Sequence, residues 1–123
     1  DPDDQEDPSI IFEAEVPLTS SVTENLTAKI LRHFSMRVSD LSGLHYDRTS
    51  DHIYVISDLL DTFFEITKTG KVLKSSPLPG TDQEGITLDG AGLAYISRDS
   101  KGIMKFKWKE YAIHCILYNV KFI

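Results

Sequence analysis

From Ser9 onward the chain is a succession of short apolar, β-branched runs separated by polar or glycine-bearing breaks. Runs of this length are too brief for ordinary helices and have the make-up of strands. Ser9–Val16 is the first, and Pro17 ends it or confines it to an edge. Ser20–Phe34 reads two ways. Ser21-Val22-Thr23-Glu24 has the form of a capping box and Leu26, Ile30 and Leu31 have helical spacing, while Ala28–Met36 reads as a strand. The expectation is one short helical turn followed by a strand. A regular series follows: Gly43–Asp47, His52–Ser57, Thr62–Thr67 and Val72–Ser76. Arg48–Asp51, Asp58–Asp61 and Lys68–Lys71 connect them, with Gly70 free to take positive φ in the last turn. Pro77-Leu78-Pro79-Gly80 stops the series, which describes one antiparallel meander.

A second copy begins at once. Gly85–Asp89 repeats Gly43–Asp47, Leu93–Ser97 matches Ile53–Ser57, and Ile103–Phe106 matches Phe63–Ile66. The offset is 42 residues before the first turn and 40 after it, as if Asp89-Gly90-Ala91-Gly92 were a shortened turn. A repeated four-stranded unit of about 40 residues is the period of β-propeller blades. Stacking such sheets radially buries both faces, which explains why Ile53–Ile56 is apolar on both sides. A β-sandwich would show cleaner in-out alternation and no such repeat. The sequence therefore predicts an all-β chain of propeller blades, an incomplete ring of about two to three. Residues 1–8 form a disordered acidic arm, 9–38 the end of a preceding blade, 39–80 a complete blade, and 81–123 a partial blade with an atypical tail. Within that tail Ala112–Val120 is apolar enough to substitute for the fourth strand. A closed ring takes at least about four blades, more than 123 residues supply. A fragment, a truncated product or closure by association is expected, with self-association covering open blade edges.

Charge and composition narrow the choice of function. A net charge of −6 disfavours nucleic acid, which needs a clustered basic stripe. Cys115 stands alone, so no internal disulfide and no thiolate zinc site can form, and it reads as a small buried hydrophobe. No apolar run is long enough for a transmembrane segment. A targeting segment, if there was one, has been removed. The triplet Asn25-Leu26-Thr27 accepts a glycan only in a eukaryotic secretory setting.

Candidate chemistry gathers at the start of each repeat. Asp40-Leu41-Ser42-Gly43-Leu44 aligns with Asp82-Gln83-Glu84-Gly85-Ile86, and Asp47 and Asp89 follow four residues after each glycine. In an extended segment, residues two apart point the same way. Asp82 therefore projects with Glu84, and Asp40 with Ser42, at the mouth of the central channel. Such hard oxygen donors suit Ca²⁺, which takes about 6 to 8 of them. The same aspartates also suit turn capping, and one group can do both. Asp58, Asp61, Arg98 and Asp99 lie in connections on that face and form the rim of a candidate binding surface. His45 and His52 have no paired nucleophile and read as structural. His114 and Cys115 are adjacent and point apart. Trp108 reads as a packing residue, and the lysines at 101, 105, 107 and 109 as a solvated face.

Over Ser9–Trp108 these motifs resemble the C-terminal part of the SdiA-regulated (YjiK-like) family of bacterial envelope proteins. The residues that carry the likeness are the two motifs above, with Ile53-Tyr54-Val55-Ile56-Ser57-Asp58, Thr69-Gly70-Lys71-Val72 and Leu93-Ala94-Tyr95-Ile96-Ser97. The resemblance implies a Ca²⁺-stabilised propeller of the cell envelope, with Asp82 and Glu84 as channel ligands and no catalytic residue. Similar repeats also look like those of phytase-like and lactonase-like propellers. One departure is that Ser97 is followed by Arg98 where an acidic residue is expected. The leading reading is a non-enzymatic binding or scaffold propeller. The alternative is a calcium-dependent hydrolase of phosphate or lactone esters, in which the metal activates water. That chemistry needs a general base near the metal, and no histidine falls on the motif face.

Overall fold

The computed structural model describes residues 8–16, 24–108 and 120–121. Every regular element among them is a β-strand. Strands β1 (Ser9–Glu15) and β2 (Lys29–Met36) form an antiparallel pair. Strands β3 (Leu41–Asp47), β4 (His52–Ser57), β5 (Thr62–Thr67) and β6 (Val72–Pro77) lie side by side in chain order as one meander. A second meander follows with β7 (Gln83–Leu88), β8 (Leu93–Arg98) and β9 (Gly102–Lys107). Strand β10 (Val120–Lys121) pairs with β9 opposite Ile103 and Gly102, in the place of the fourth strand. The protein is an arc of propeller blades: a two-stranded portion, a full meander and another. The expected helical turn has no counterpart over 24–36, where Lys29–Met36 is extended. Ser20–Thr23, Asp1–Asp7, His114 and Cys115 lie outside the described residues.

Burial on both faces of the sheets holds the arc together. In β4 every residue from Ile53 to Ser57 is buried. Ile53 and Val55 pack with Phe64, Ile66 and Met36 toward the β1–β2 pair. Tyr54 and Ile56 point the other way, to Phe63 and Leu78 of their own blade and to Ala94, Ile96, Met104 and Phe106 of the next. Alternation thus feeds two separate cores from one strand. Each such side chain withdrawn from water contributes about 1.5–3 kcal/mol. Trp108 joins the second core, its ring 4.7 Å from that of Tyr54.

Equivalent residues of the two meanders meet at the inner strands. A Cβ built on Gly43 would lie 2.9 Å from the Cα of Gly85, and His45 Nδ1 is 3.4 Å from Thr87 Oγ1. Each pair is 42 residues apart, so successive blades stand at the same height.

The strand pairing corrects the alignment of the repeats. Gly43 and Gly85 differ by 42, Tyr54 and Tyr95 by 41, and Phe64 and Met104 by 40. One residue is lost in the turn after the inner strand. A second is lost where Asp58–Asp61 becomes Asp99–Lys101. The motif match charged both losses to the first turn and set Ser57 against Ser97. The pairing sets Ser57, opposite Leu41, against Arg98, opposite Gln83.

Candidate functional site

Four connections converge at one end of the blades: Arg37–Asp40 before β3, Asp58–Asp61, Leu78–Asp82 and Asp99–Lys101. Their tight geometry explains the residue choice. Asp40 and Asp82 have φ of 55° and 63°, and Asp61 and Lys101 close the next turns with 46° and 64°. This left-handed region is uncommon for residues with a Cβ, and aspartate is among the better tolerated there. The backbone then repeats itself. Asp58 N–H donates to Asp40 O at 3.2 Å, and Asp99 N–H to Asp82 O at 3.0 Å. Asp99 is therefore the counterpart of Asp58. The acidic residue sought directly after Ser97 is present one position later, and Arg98 replaces Ser57.

Each candidate side chain has a definite place. Ser42 Oγ donates to Gln83 O at 2.6 Å, tying the inner strands together. Asp58 Oδ1 accepts Gln83 N–H at 3.0 Å, so a rim carboxylate also holds the next blade. Arg98 Nε donates to Thr81 O at 3.0 Å. Asp61 O receives Leu78 N–H at 2.6 Å, while its Oδ1 is shielded from water and has no hydrogen-bond partner. Ser57 Oγ donates to Ser39 O at 2.9 Å and accepts Leu60 N–H at 3.2 Å, which settles this buried hydroxyl.

Electrostatics shows which carboxylates share space. The Glu84 carboxyl is pushed above the usual range, first by the Asp99 carboxylate beside it and next by partial loss of water. Asp58, Asp40 and Asp82 add to the push in that order. Four acids from four different connections thus act on one exposed glutamate, and each like charge disfavours its ionised form. Ser42, Asp61 and Arg98 lie at the same end without entering that set. The donors are hard oxygens of the kind Ca²⁺ takes. Among the described residues, however, no three acidic, histidine or cysteine side chains converge as a metal-holding group. In this arc the carboxylates form a field of charge and not a finished coordination shell.

The remaining candidates stand elsewhere. Asp47 and Asp89 lie at the opposite end and cap the turns there. Asp47 accepts Ser50 Oγ at 2.6 Å and Ser50 N–H at 3.1 Å; Asp89 accepts Ala91 N–H at 2.9 Å and Leu93 N–H at 3.0 Å. These bonds hold both carboxyls below the ordinary aspartate range, led by the Ser50 hydroxyl for Asp47 and the Leu93 amide for Asp89. His52 Nδ1 is 2.8 Å from Glu65 Oε1 at that same far end. Gln83 is the residue that the motifs undervalued. It is fully buried and its Nε2 donates to Gly80 O at 3.1 Å, while its Oε1 has no partner. A glutamine where the preceding repeat has Leu41 was the available signal.

No curated protein and no solved structure matches the chain. A family model does, from residue 4 to residue 107, across all three blade portions and both motif-bearing inner strands. On the strength of that match, the chain belongs to the SdiA-regulated family.

Proposed function

We propose that the chain is a binding segment of a β-propeller, without catalysis of its own, whose carboxylate end engages a cation at the cell envelope. Calcium is the cation its oxygen donors suit best. The observation that carries this reading is the raised Glu84 carboxyl, with Asp99, Asp58, Asp40 and Asp82 acting on it together. Acids held against their own repulsion lower their energy when a cation joins them. Asp82, Glu84 and Asp40 are the side chains proposed to face that ion, with Asp58 and Asp99 adding charge from the rim. Ligands beyond this arc complete the shell. The hydrolase reading gains less support, because His52 is engaged by Glu65 at the other end and His45 faces Thr87.

Calorimetric titration with calcium chloride at low ionic strength tests the proposal. Saturable heat is expected, with at least a tenfold loss of affinity in Glu84→Gln and in Asp82→Asn. Absence of saturable heat, or equal affinity in both variants, refutes it. Calcium-dependent ester hydrolysis abolished by the same substitutions would move the assignment to the hydrolase.

A further inference from the structure

Strands β1 and β2 correspond to the outer half of a blade. Glu13 pairs with Arg32 and a bulge separates it from Ala14, as Glu65 pairs with Lys74 and a bulge separates it from Ile66. Met36 and Leu78, 42 residues apart, are both buried at the corresponding place. Strand β2 is thus the outer strand of its blade, as β6 is of the next. No strand lies beyond either one among the described residues. The two outer strands share a motif: Lys29-Ile30-Leu31-Arg32 recurs 42 residues later as Lys71-Val72-Leu73-Lys74. All eight residues are exposed, so core packing does not demand the likeness. Leucine takes the bulge in both. Ala14 pairs with Ile30 and Glu13 with Arg32, which leaves Leu31 over, and Ile66 pairs with Val72 and Glu65 with Lys74, which leaves Leu73. A bulge frees the extra residue from the ladder, and these leucines are 50% and 40% exposed. The two motifs are neighbours, for the Phe34 ring of β2 lies against the turn that leads into β6. A Cβ built on Gly70 there would come 2.6 Å from that ring.

Charge selects the occupant of this edge. The chain carries a net charge of −6, yet neither outer strand contains an acid. The nearest acids stand one strand further in. Glu13 Oε2 is 2.6 Å from Arg32 Nε, and Glu65 Oε1 meets His52 Nδ1 at 2.8 Å and the Tyr54 hydroxyl at 3.2 Å. Lys29 and Arg32 are offset in part by Glu15 and Glu13 opposite them, so the basic character is strongest along β6. Both motifs begin at the end where His52 pairs with Thr67, whose N–H donates to Lys71 O. An anionic surface therefore meets them without approaching Glu84. We propose that this outer edge of the blades docks on an anionic lipid surface, with Leu31 and Leu73 entering the acyl boundary and the lysines lying among the headgroups. A polypeptide fits less well. Bulges and lysines blunt an edge strand against further main-chain pairing, and an incoming strand meets one edge where the motif stands on two. A second copy would set lysines against lysines.

The inference stands apart from cation binding, and its test contains a chelator in place of metal, so its failure leaves the calcium titration to be judged by itself. The full chain is sedimented at low ionic strength with vesicles of phosphatidylcholine and phosphatidylglycerol in equal parts, and with vesicles of phosphatidylcholine alone. Partition at least tenfold stronger onto the anionic vesicles is expected, and added salt releases it. Leu73→Asp and Lys71→Glu each weaken it at least tenfold. The same changes made at the carboxylate end, Leu59→Asp and Lys101→Glu, alter exposed residues there and leave it unchanged. Absence of partition overturns the proposal, as does equal partition onto the two kinds of vesicle or equal loss in the two pairs of variants. Binding of polyglutamate that competes with the vesicles and is lost in Leu73→Asp and Lys71→Glu assigns the edge to an acidic polypeptide and also overturns it.

Discussion

The central blade, β3–β6, and the blade that follows it share a backbone plan and differ in the face they turn away from β1 and β2. On the central blade that face carries Tyr54, Ile56, Phe63 and Glu65, and the first three are buried against the next sheet. The counterparts are Tyr95, Ser97, Ile103 and Lys105. There Tyr95 donates its hydroxyl to Asp89 Oδ2 at 3.3 Å, Lys105 Nζ lies 5.6 Å from the Tyr95 ring, and Ser97 is exposed. One framework therefore carries an apolar face buried against the next sheet and a more polar, partly exposed one. At the other side of the arc Ile10 and Phe12 of β1 are 51% and 56% exposed.

Exchanging residues between the two faces probes this difference most severely. Ile56→Ser removes a fully buried side chain and leaves a hydroxyl in the core. It is expected to cost about 3–5 kcal/mol in urea denaturation. The reverse change, Ser97→Ile, is expected to stay within about 0.5 kcal/mol. Comparable losses at the two sites would mean that the second face is also covered. Next in size is the contact of the inner strands. Gly43→Ala forces a methyl against the backbone of Gly85 and is expected to cost about 1–3 kcal/mol. Gly90→Ala, with nothing within 4 Å of the added carbon, serves as the neutral control. The smallest effect concerns the carboxylates. Because the folded Glu84 carboxyl is raised, the folded chain holds a proton where the unfolded chain has released it. Stability therefore falls as pH rises from the ordinary glutamate range through the raised value. In Glu84→Gln that descent should flatten in a series of melts across pH. Asp47 and Asp89 act in the opposite sense, their depressed carboxyls losing stabilisation as pH falls below the ordinary aspartate range. An unchanged descent in the variant would show that the acids do not act on one another.

Much of this was legible in the residues. The bounds of β4 and β5 follow from their composition, and the repeat alone specifies blades. The register was harder, for a physical reason. A strand buried on both faces has no in-out alternation, so a slip of one residue leaves its hydrophobic pattern intact. Matching Ser57 to Ser97 was such a slip, and the pairing of Gly43 with Ile56 and of Gly85 with Ser97 corrects it. The correction restores Asp99 to the place of Asp58. The kinship of β1 with β5 was hidden because the connection from β1 to β2 is longer than Lys68–Lys71, which breaks the constant offset. The common end of the carboxylates could be inferred from topology. Their mutual influence on Glu84 depends on side-chain positions that spacing does not fix.

Asp58 has two duties, and the pairing has a mechanical consequence. One of its oxygens belongs to the junction through Gln83 N–H, and the group as a whole belongs to the charged rim. Whatever pulls on that carboxylate from solution also pulls on the junction between two sheets. On the proposed reading, a cation held at the rim would load one of the bonds that, with the Ser42 hydroxyl and the shared core, join the two sheets.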